Sequence, residues 1–358
     1  MTEAALAKLR LLRTPGVGPV TWRQLVSRFG DAGRAIEALP QLAARGGGRP
    51  PTVPEPGVIE REAAATARAG ARYLFIDDPA YPPLLAELEN APPAMIVRGN
   101  AGLLTSRCVA MVGARNASAA AIRFARQLAA ELADAGATVV SGLARGVDTA
   151  AHVGAGAATI GVIASGIDVV FPPENAALQD RLGAEALVIA EQPPGTEPRA
   201  RHFPYRNRII AGLCGGTVVV EAAPKSGSLI TARLAAEAGR EVMAIPGHPL
   251  DPRAQGCNLL IREGATLVQN AADILEQIRP IDPRAVRAPA ASFGSAPPED
   301  ASDAERRAVA DLLGRVPVPV DEIIRQSGLS PAAVQTVLLE LELAGRLERH
   351  AGGRVSVA

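Results

Sequence analysis

The chain has 358 residues; 48% are hydrophobic, 21% are charged, and 37 Lys and Arg residues balance 37 Asp and Glu residues. This length exceeds one ordinary hydrophobic core and predicts two or three domains. Because the formal net charge is zero, a nucleic-acid binder of this composition would have to gather its cations in one place.

The first residues and the cysteines indicate a cytoplasmic protein. The opening segment, MTEAALAKLR, lacks the apolar run of a signal peptide, and no stretch is long and apolar enough to span a bilayer. Cys108, Cys214 and Cys257 are widely spaced, and the sequence has neither a CxxC pair nor an HExxH motif. We therefore expect free thiols, no metal site, no cofactor and no membrane contact.

The first predicted unit is helical and covers residues 1–69. Helices between Leu6 and Leu39 flank a glycine turn, Pro15–Pro19, which resembles the turn of a SAM-like or helix-hairpin-helix domain. The segment 46–57 (GGGRPPTVPEPG) has the composition of a loop, and a helix over Val58–Ala69 closes the unit.

Residues 70–280 are predicted to form a Rossmann-like α/β domain. Short apolar runs alternate with helical stretches such as Ala119–Ala135 and Leu229–Ala238, a pattern typical of a doubly wound, mostly parallel sheet covered on both faces. The predicted strands are Tyr73–Ile76, Cys108–Val112, Thr138–Val140, Thr159–Ala164, Leu187–Ala190, Thr217–Glu221, Glu241–Ile245 and Thr266–Val268.

The remaining residues read as a linker and a small C-terminal domain. Segment 281–302 is rich in Pro, Ala and Ser without periodicity, which predicts a flexible linker. Residues 303–358 contain three predicted helices and a hairpin that turns at Gly352-Gly353, the order of elements in a winged helix-turn-helix.

The turns after the first two central strands predict an anion-binding edge of the sheet. The first turn contains Gly113 and, where a dinucleotide-binding GxGxxG motif has its second glycine, Arg115; NAD binding is therefore not expected, whereas phosphate contact is. The second turn, Ser141–Gly146, includes Gly142 and Arg145, and its backbone N–H groups would face a groove. A plain turn, with Asp148 capping the next helix and His152 packed against the sheet, is the alternative.

Two further segments carry candidate binding residues. The stretch 198–208 (PRARHFPYRNR) combines arginines with aromatic rings in a chain that is only 3% aromatic, and Phe203, Arg206, Asn207 and Arg208 are candidates for stacking on bases and contacting phosphates. A solvated loop with paired arginines is the alternative. After a later strand, Lys225, Ser226, Gly227 and Ser228 open a helix, where free N–H groups attract anions.

These motifs closely resemble the DprA/Smf family over most of residues 81–270. The matching runs are YPPLL (81–85), VGAR (112–115), SGLARGVD (141–148), FPPEN (171–175), FPYRNRIIAGL (203–213), VEA (220–222), KSGSLITA (225–232), GREVMAIPG (239–247) and LIREGA (260–265). The resemblance implies a protein that binds and protects incoming single-stranded DNA during natural transformation, helps load the RecA recombinase, and forms a homodimer through the Rossmann-like domain. It implies that the candidate residues above line the DNA pocket and that no residue is catalytic.

This sequence departs from the family pattern at a few places. Phe171 stands where Tyr is usual and Val147 where Ile is usual, and Ala190-Glu191-Gln192 replaces a Ser-Glu-aromatic pattern, so one possible stacking ring is missing.

Two other functions remain open from the sequence. A LOG-type nucleotide phosphoribohydrolase would use Glu221, although the PGGxGTxxE motif of those enzymes is absent. A winged-helix regulator would read duplex DNA with the third C-terminal helix, but Glu340 and Glu342 on that helix disfavour duplex binding and fit protein contact or structural support at least as well.

Overall fold

The computed structural model describes residues 1–278, 300–350 and 352–358, and these form two compact units. One unit contains residues 1–60 and 300–358, and the other contains residues 61–278. The predicted linker (281–302) lies outside the described residues as far as residue 299. The domain boundaries expected from the sequence stay predictions.

The N-terminal helices are α1 (Glu3–Leu12), α2 (Pro19–Phe29) and α3 (Ala32–Arg45). The Pro15–Pro19 turn joins α1 to α2, and Pro19 is the first residue of α2, where its missing N–H costs nothing. The Trp22 ring is buried in this unit, and its Nε1 donates a hydrogen bond to the Lys8 carbonyl at 3.1 Å. α4 (Pro56–Arg68) follows and contains the boundary between the two units.

The larger unit is built on a nine-stranded sheet. Its strands are β1 (Arg72–Phe75), β2 (Ala94–Gly99), β3 (Arg107–Val112), β4 (Ala137–Ser141), β5 (Thr159–Gly166), β6 (Leu187–Gln192), β7 (Gly216–Val219), β8 (Glu241–Ala244) and β9 (Thr266–Leu267). Its helices are α5 (Pro83–Ala86), α6 (Ala119–Asp134), α7 (Val147–Ala155), α8 (Ala176–Glu185), α9 (His202–Leu213), α10 (Gly227–Glu237), α11 (Gln255–Arg262) and α12 (Ala271–Gln277).

The strand order β1-β2-β6-β5-β4-β3-β7-β8-β9 confirms the predicted Rossmann-like class. The strands from β6 to β9 in this order pair in parallel, whereas β2 pairs antiparallel with both β1 and β6. Strand β2 was not predicted. Its short apolar run follows Pro92-Pro93, and the connection before it contains only the four-residue α5, which leaves no helical periodicity to mark a strand.

Residues of β3 alternate between two hydrophobic layers, as the two-residue period of a strand requires. Val109 and Met111 lie in the layer that contains Leu128 of α6, whereas Ala110 and Val112 lie in the layer that contains Ile209 of α9. The sheet is therefore covered on both faces, and the carboxyl ends of its central strands form the edge on which loops can build a site.

The C-terminal elements confirm the predicted winged helix. They are α13 (Asp303–Asp311), β10 (Val318–Pro319), α14 (Val320–Ser327), α15 (Pro331–Leu343), β11 (Leu347–His350) and β12 (Arg354–Val357), with the strands in the order β10-β12-β11. Ser330 caps α15 by accepting a hydrogen bond from the Ala333 N–H at 3.2 Å. In the described parts of both units, we find no helix with the length and apolar character needed to cross a membrane.

Candidate functional site

Three neighbouring strands bring their carboxyl-terminal turns together at one edge of the sheet. Strand β4 lies between β3 and β5 and pairs with both in parallel. A cavity of about 240 Å³ opens at this edge, and Arg115 after β3, Gly142 and Arg145 after β4, and Ser165 at the end of β5 line it. The sheet topology thus collects side chains that are far apart in the sequence.

The fourth wall of the cavity comes from α9, which begins at His202. Phe203 and Arg206 are three residues apart on this helix and therefore share a face, and both line the cavity. The sequence offered either a DNA-binding segment or a solvated loop here, and neither interpretation included a helix. The helical spacing therefore turns Phe203 and Arg206 towards the cavity, whereas Arg208 does not line it.

Aromatic rings form an apolar wall beside the cationic groups. The Phe171 and Phe203 rings lie with their centroids 5.9 Å apart and their planes tilted by 59°. The guanidinium carbon of Arg115 lies 5.3 Å from the centroid of the Phe203 ring, within cation–π range. Phe171 was noted in the sequence only as a departure from the family pattern, but the residue is 41% exposed and lines the cavity.

Arg206 is a buried cation at the base of the cavity, only 6% exposed. A Cβ added at Gly142 would lie 1.5 Å from the Arg206 Nη1 atom, so only glycine leaves room for this guanidinium. Within the part of the chain that the structure describes, the buried Nε of Arg206 has no hydrogen-bond partner. Such a group is costly to bury and would be stabilised by an incoming acceptor.

Burial and charge act in opposite directions on the pKa values of Arg206 and Asp148. Burial lowers the pKa of Arg206 to about 10, although the neighbouring Asp148 carboxylate raises it and Arg115 lowers it further. Burial likewise raises the pKa of Asp148, against the attraction of Arg206. Each group therefore stabilises the charged form of the other.

The backbone N–H groups of the loop after β4 were expected to face the groove, but three of them point into the protein. The N–H groups of Gly142 and Ala144 donate inward to Oδ2 of Asp148, at 3.1 and 3.4 Å, and the N–H of Leu143 donates to Nε2 of His152 at 3.3 Å. These three amides do not face the groove. Asp148 organises this loop rather than capping α7, since no side chain in the described part of the protein caps the first turn of α7.

His152 is buried and neutral behind this loop. Its Nε2 accepts the Leu143 N–H, and its Nδ1 lies 2.8 Å from Oγ1 of Thr159, which donates to the Val139 carbonyl. Nδ1 therefore carries the proton, and burial, with Arg206 adding to it, lowers the pKa of His152 to about 3.

The carbonyl side of the same loop is also held by side chains. Leu143 adopts a left-handed backbone conformation with φ of 52°, which is unfavourable for a leucine. The Asn175 Nδ2 donates to the Leu143 carbonyl at 2.8 Å, and the Thr149 hydroxyl donates to the Ala144 carbonyl at 2.8 Å. Asn175, which ends the FPPEN run, was not among the predicted site residues, and its contacts depend on a loop conformation that sequence does not specify.

Several predicted residues lie in supporting positions around the cavity. Ser141 is fully buried and donates to the Met111 carbonyl at 2.7 Å. Gly113 packs against Val147, and Gly146, with φ of 77°, packs against the Ala114 carbonyl. These residues shape the two turns from within.

Arg208 is held by protein groups. Its Nη2 donates to Oε1 of Glu191 and its Nη1 to the Asn90 carbonyl, both at 2.5 Å, and the Arg208 side chain is only 5% exposed. Asn207 beside it is half-buried. The structure thus gives Arg208 a role in anchoring α9, and its contact with DNA stays a prediction.

The segment Lys225–Ser228 follows β7, which lies on the opposite side of β3 from β4. None of its residues is among those that line the cavity. Ser226 caps α10 by accepting a weak hydrogen bond from the Ser228 N–H at 3.4 Å, and its hydroxyl lies 2.8 Å from that of Ser228. Lys225 and Gly227 are exposed.

The carboxylate of Glu221, the candidate of the enzymatic alternative, has a structural task. It accepts hydrogen bonds from the N–H and the hydroxyl of Ser118 at 2.9 and 2.7 Å, just before α6. A carboxylate fixed in this way stabilises the start of a helix.

Comparison with known proteins identifies the family. The family model described as DNA recombination-mediator protein A matches residues 72–279, more than half of the chain. The chain belongs to the DprA/Smf family. A DprA-like N-terminal HHH domain also matches residues 2–65, and a DprA winged helix domain matches residues 293–353.

Curated DprA/Smf proteins are similar over much of their length. The chain is 46% identical to DNA processing protein DprA of Streptococcus pneumoniae over 208 residues, which cover 57% of this chain and 73% of that protein. It is 39% identical to Protein Smf of Escherichia coli over 283 residues, 78% of this chain and 75% of that protein.

Two solved DprA structures are similar to this one. The X-ray structure of the Streptococcus pneumoniae protein has a TM-score of 0.63 and 36% identity, and covers 78% of this chain and 99% of that one. A structure of the Helicobacter pylori protein, described for its single-stranded DNA binding mode, has a TM-score of 0.53 and 27% identity, and covers 58% of this chain and 96% of that one.

Proposed function

We propose that the chain binds single-stranded DNA in the cavity at the edge of the sheet, protects incoming DNA during natural transformation and helps load RecA onto it. The observation that carries this proposal is one cavity lined by three guanidinium groups and two phenyl rings. Membership of the DprA/Smf family supports the same function.

The chemistry of the cavity fits an unpaired nucleotide with its phosphates. Arg115 and Arg145 are exposed at the rim and suit phosphates along the strand, whereas Arg206 is buried at the base and its Nε has no acceptor among the described residues. Phe171 and Phe203 offer ring faces to a base, and every base has a π face, so this recognition would tolerate any sequence.

The depth of the cavity favours a single strand over a duplex. Arg206 is buried against the Gly142 turn, so a nucleotide must leave its neighbours to reach it. In a duplex this step costs a few kcal/mol of unstacking and unpairing, whereas a single strand avoids most of that cost.

The remaining features belong to the same proposal. Lys225, Ser226, Gly227 and Ser228 would contact the DNA backbone outside the cavity, and Asn207 would contribute beside it. We further propose a cytoplasmic, non-enzymatic protein that acts as a homodimer through its Rossmann-like unit. The hydrogen bonds that hold Glu221 to Ser118 are an argument against the phosphoribohydrolase alternative.

Binding of labelled oligonucleotides, followed by fluorescence anisotropy at several salt concentrations, tests the proposal. A single strand should bind more tightly than the matching duplex. In Arg115→Ala, loss of one phosphate contact should lower the slope of log K against log salt by about 0.7. It should also weaken binding by about tenfold or more at low salt, equally for all sequences.

Arg233→Ala is the matched control, because Arg233 is an exposed arginine of the same unit that pairs with Glu237 on α10. Its affinity and slope should equal those of the wild type. The cavity assignment would be wrong if the two variants behaved alike, and the function would be wrong if the wild type preferred the duplex.

A further inference from the structure

Helix α15 occupies the position that reads the major groove in helix-turn-helix proteins. A reading helix needs one exposed face, yet nine of the thirteen residues of α15 are buried. Its sequence, PAAVQTVLLELEL, has apolar residues on every side of the helix, which is typical of a helix enclosed on all sides.

One face of α15 belongs to the core of its own winged-helix domain. Val334, Val337, Leu338 and Leu341 recur at helical spacing and form a buried cluster with residues of α13, α14 and the hairpin. Leu339 and Leu343 point to the other side, since they are buried but lie outside that cluster.

The other face of α15 packs against α3 and the glycine segment that follows it. A Cβ added at Gly46 would lie 2.1 Å from the Glu340 carbonyl oxygen, and one added at Gly48 would lie 2.5 Å from the Ala344 Cα. Glycine therefore permits the backbones to approach closely, as at tightly packed helix interfaces.

Polar groups fix the register of this interface along α2. The Thr21 hydroxyl donates to Oε2 of Glu342 at 2.7 Å, and the Gln24 amide donates to Oε1 of Gln335 at 2.9 Å. Gln335 carries the one side-chain amide of α15, a group that on a reading helix can pair with adenine. Its carbonyl oxygen is instead paired with the amide of Gln24.

Both carboxylates of α15 are neutralised within the unit. Glu340 is fully buried and receives two hydrogen bonds from Arg306, at 2.8 and 3.0 Å, while Arg349 donates to Glu342 at 2.8 Å. These acids therefore serve packing and docking, and they would repel phosphates if the helix were released.

We infer that α15 is a docking helix for the N-terminal helices α2 and α3, and that the winged-helix domain does not bind duplex DNA through it. The N-terminal and C-terminal ends of the chain thereby act as one body. This inference does not rest on the proposed binding of single strands, which concerns residues of the other unit.

Hydrogen exchange of the full-length wild-type chain, with and without a saturating duplex, tests the inference without any substitution. Peptides from residues 19–45 and 331–343 should exchange equally in both states. A duplex that engaged α15 would have to displace α2 and α3, so faster exchange in 19–45 on adding duplex would overturn the inference.

A second measurement probes the docking itself. Gly48→Leu in the full chain should separate the helices and raise exchange in 19–45 and 331–343 by about tenfold or more. Gly314→Leu is the matched control, because Gly314 is exposed and, among the described residues beyond its chain neighbours, the nearest atom to an added Cβ is the Val316 N at 4.0 Å. It should change neither segment. Unchanged exchange in Gly48→Leu would show that the faces are not docked. Single-strand affinity serves as an independent readout of folding of the larger unit.

Discussion

His152 should make the stability of this protein fall as the medium becomes acidic. Its pKa is lowered from the ordinary value of 6.5 to about 3, because the ring is buried and the positive charge of Arg206 adds to the effect. The unprotonated Nε2 accepts the Leu143 N–H. Between these two values the folded state binds fewer protons than the unfolded state, so the free energy of unfolding decreases as the pH falls through this window.

The size of the effect follows from the shift. Each pH unit below 6.5 costs about 1.4 kcal/mol, so going from about pH 7.5 to about pH 5 should cost roughly 2 kcal/mol through His152 alone. Asp148, whose pKa is raised by burial, acts in the opposite direction. A variant without the imidazole is therefore needed to isolate the contribution of His152.

His152→Gln supplies that comparison, because its side-chain oxygen can accept the Leu143 N–H without titrating. Urea unfolding at about pH 7.5 and about pH 5 gives the free energy of unfolding of both proteins. The variant should be less stable at neutral pH, owing to lost packing, but should lose about 2 kcal/mol less than the wild type on acidification. Equal losses in the two proteins would refute the assignment of a buried, neutral His152.

Three further predictions concern single side chains. Phe203→Leu should weaken single-strand binding by about 1–3 kcal/mol, with Phe203→Tyr close to wild type, because only the former lacks a ring face; equal anisotropy titrations of both would exclude stacking on this residue. Asn175→Ala should remove about 1–3 kcal/mol of support from the loop after β4; faster hydrogen exchange at Gly142–Arg145 checks this, and unchanged exchange would contradict it. Arg208→Ala should lower the free energy of unfolding by about 3–5 kcal/mol, since it leaves Glu191 unpaired; in thermal unfolding, Arg208→Ala combined with Glu191→Gln should recover part of the loss, and a stable single variant would disprove the anchoring role.

The alternation of apolar runs and helices was sufficient to predict the larger unit. Parallel strands buried on both faces have near-continuous apolar sequences, and β3, β4 and β5 were recognisable for that reason. Because such strands end at one edge, Arg115 and Arg145 could be expected to lie near each other before any coordinates were known. The function was predicted from the resemblance of these motifs to the DprA/Smf family.

Local sequence patterns could not predict which partners the amides after β4 and the arginines of α9 would have. The amides of Gly142 and Ala144 looked free in the sequence, but Asp148, brought close by the turn into α7, takes both. Likewise, four arginines between residues 199 and 208 are equivalent in composition, and only the helical spacing of α9 directs Arg206 into the cavity and Arg208 towards Glu191.

By itself, the sequence determined the class of the sheet, most of its strands and the edge where its loops meet, because hydrophobic periodicity is local information. Only the tertiary structure decided which backbone N–H groups are hydrogen-bonded inside the protein. It also decided that α15 packs against helices from the other end of the chain. The enclosure of α15 depends on close approach between residues as far as 321 positions apart, such as Thr21 and Glu342, and no local pattern encodes such an approach.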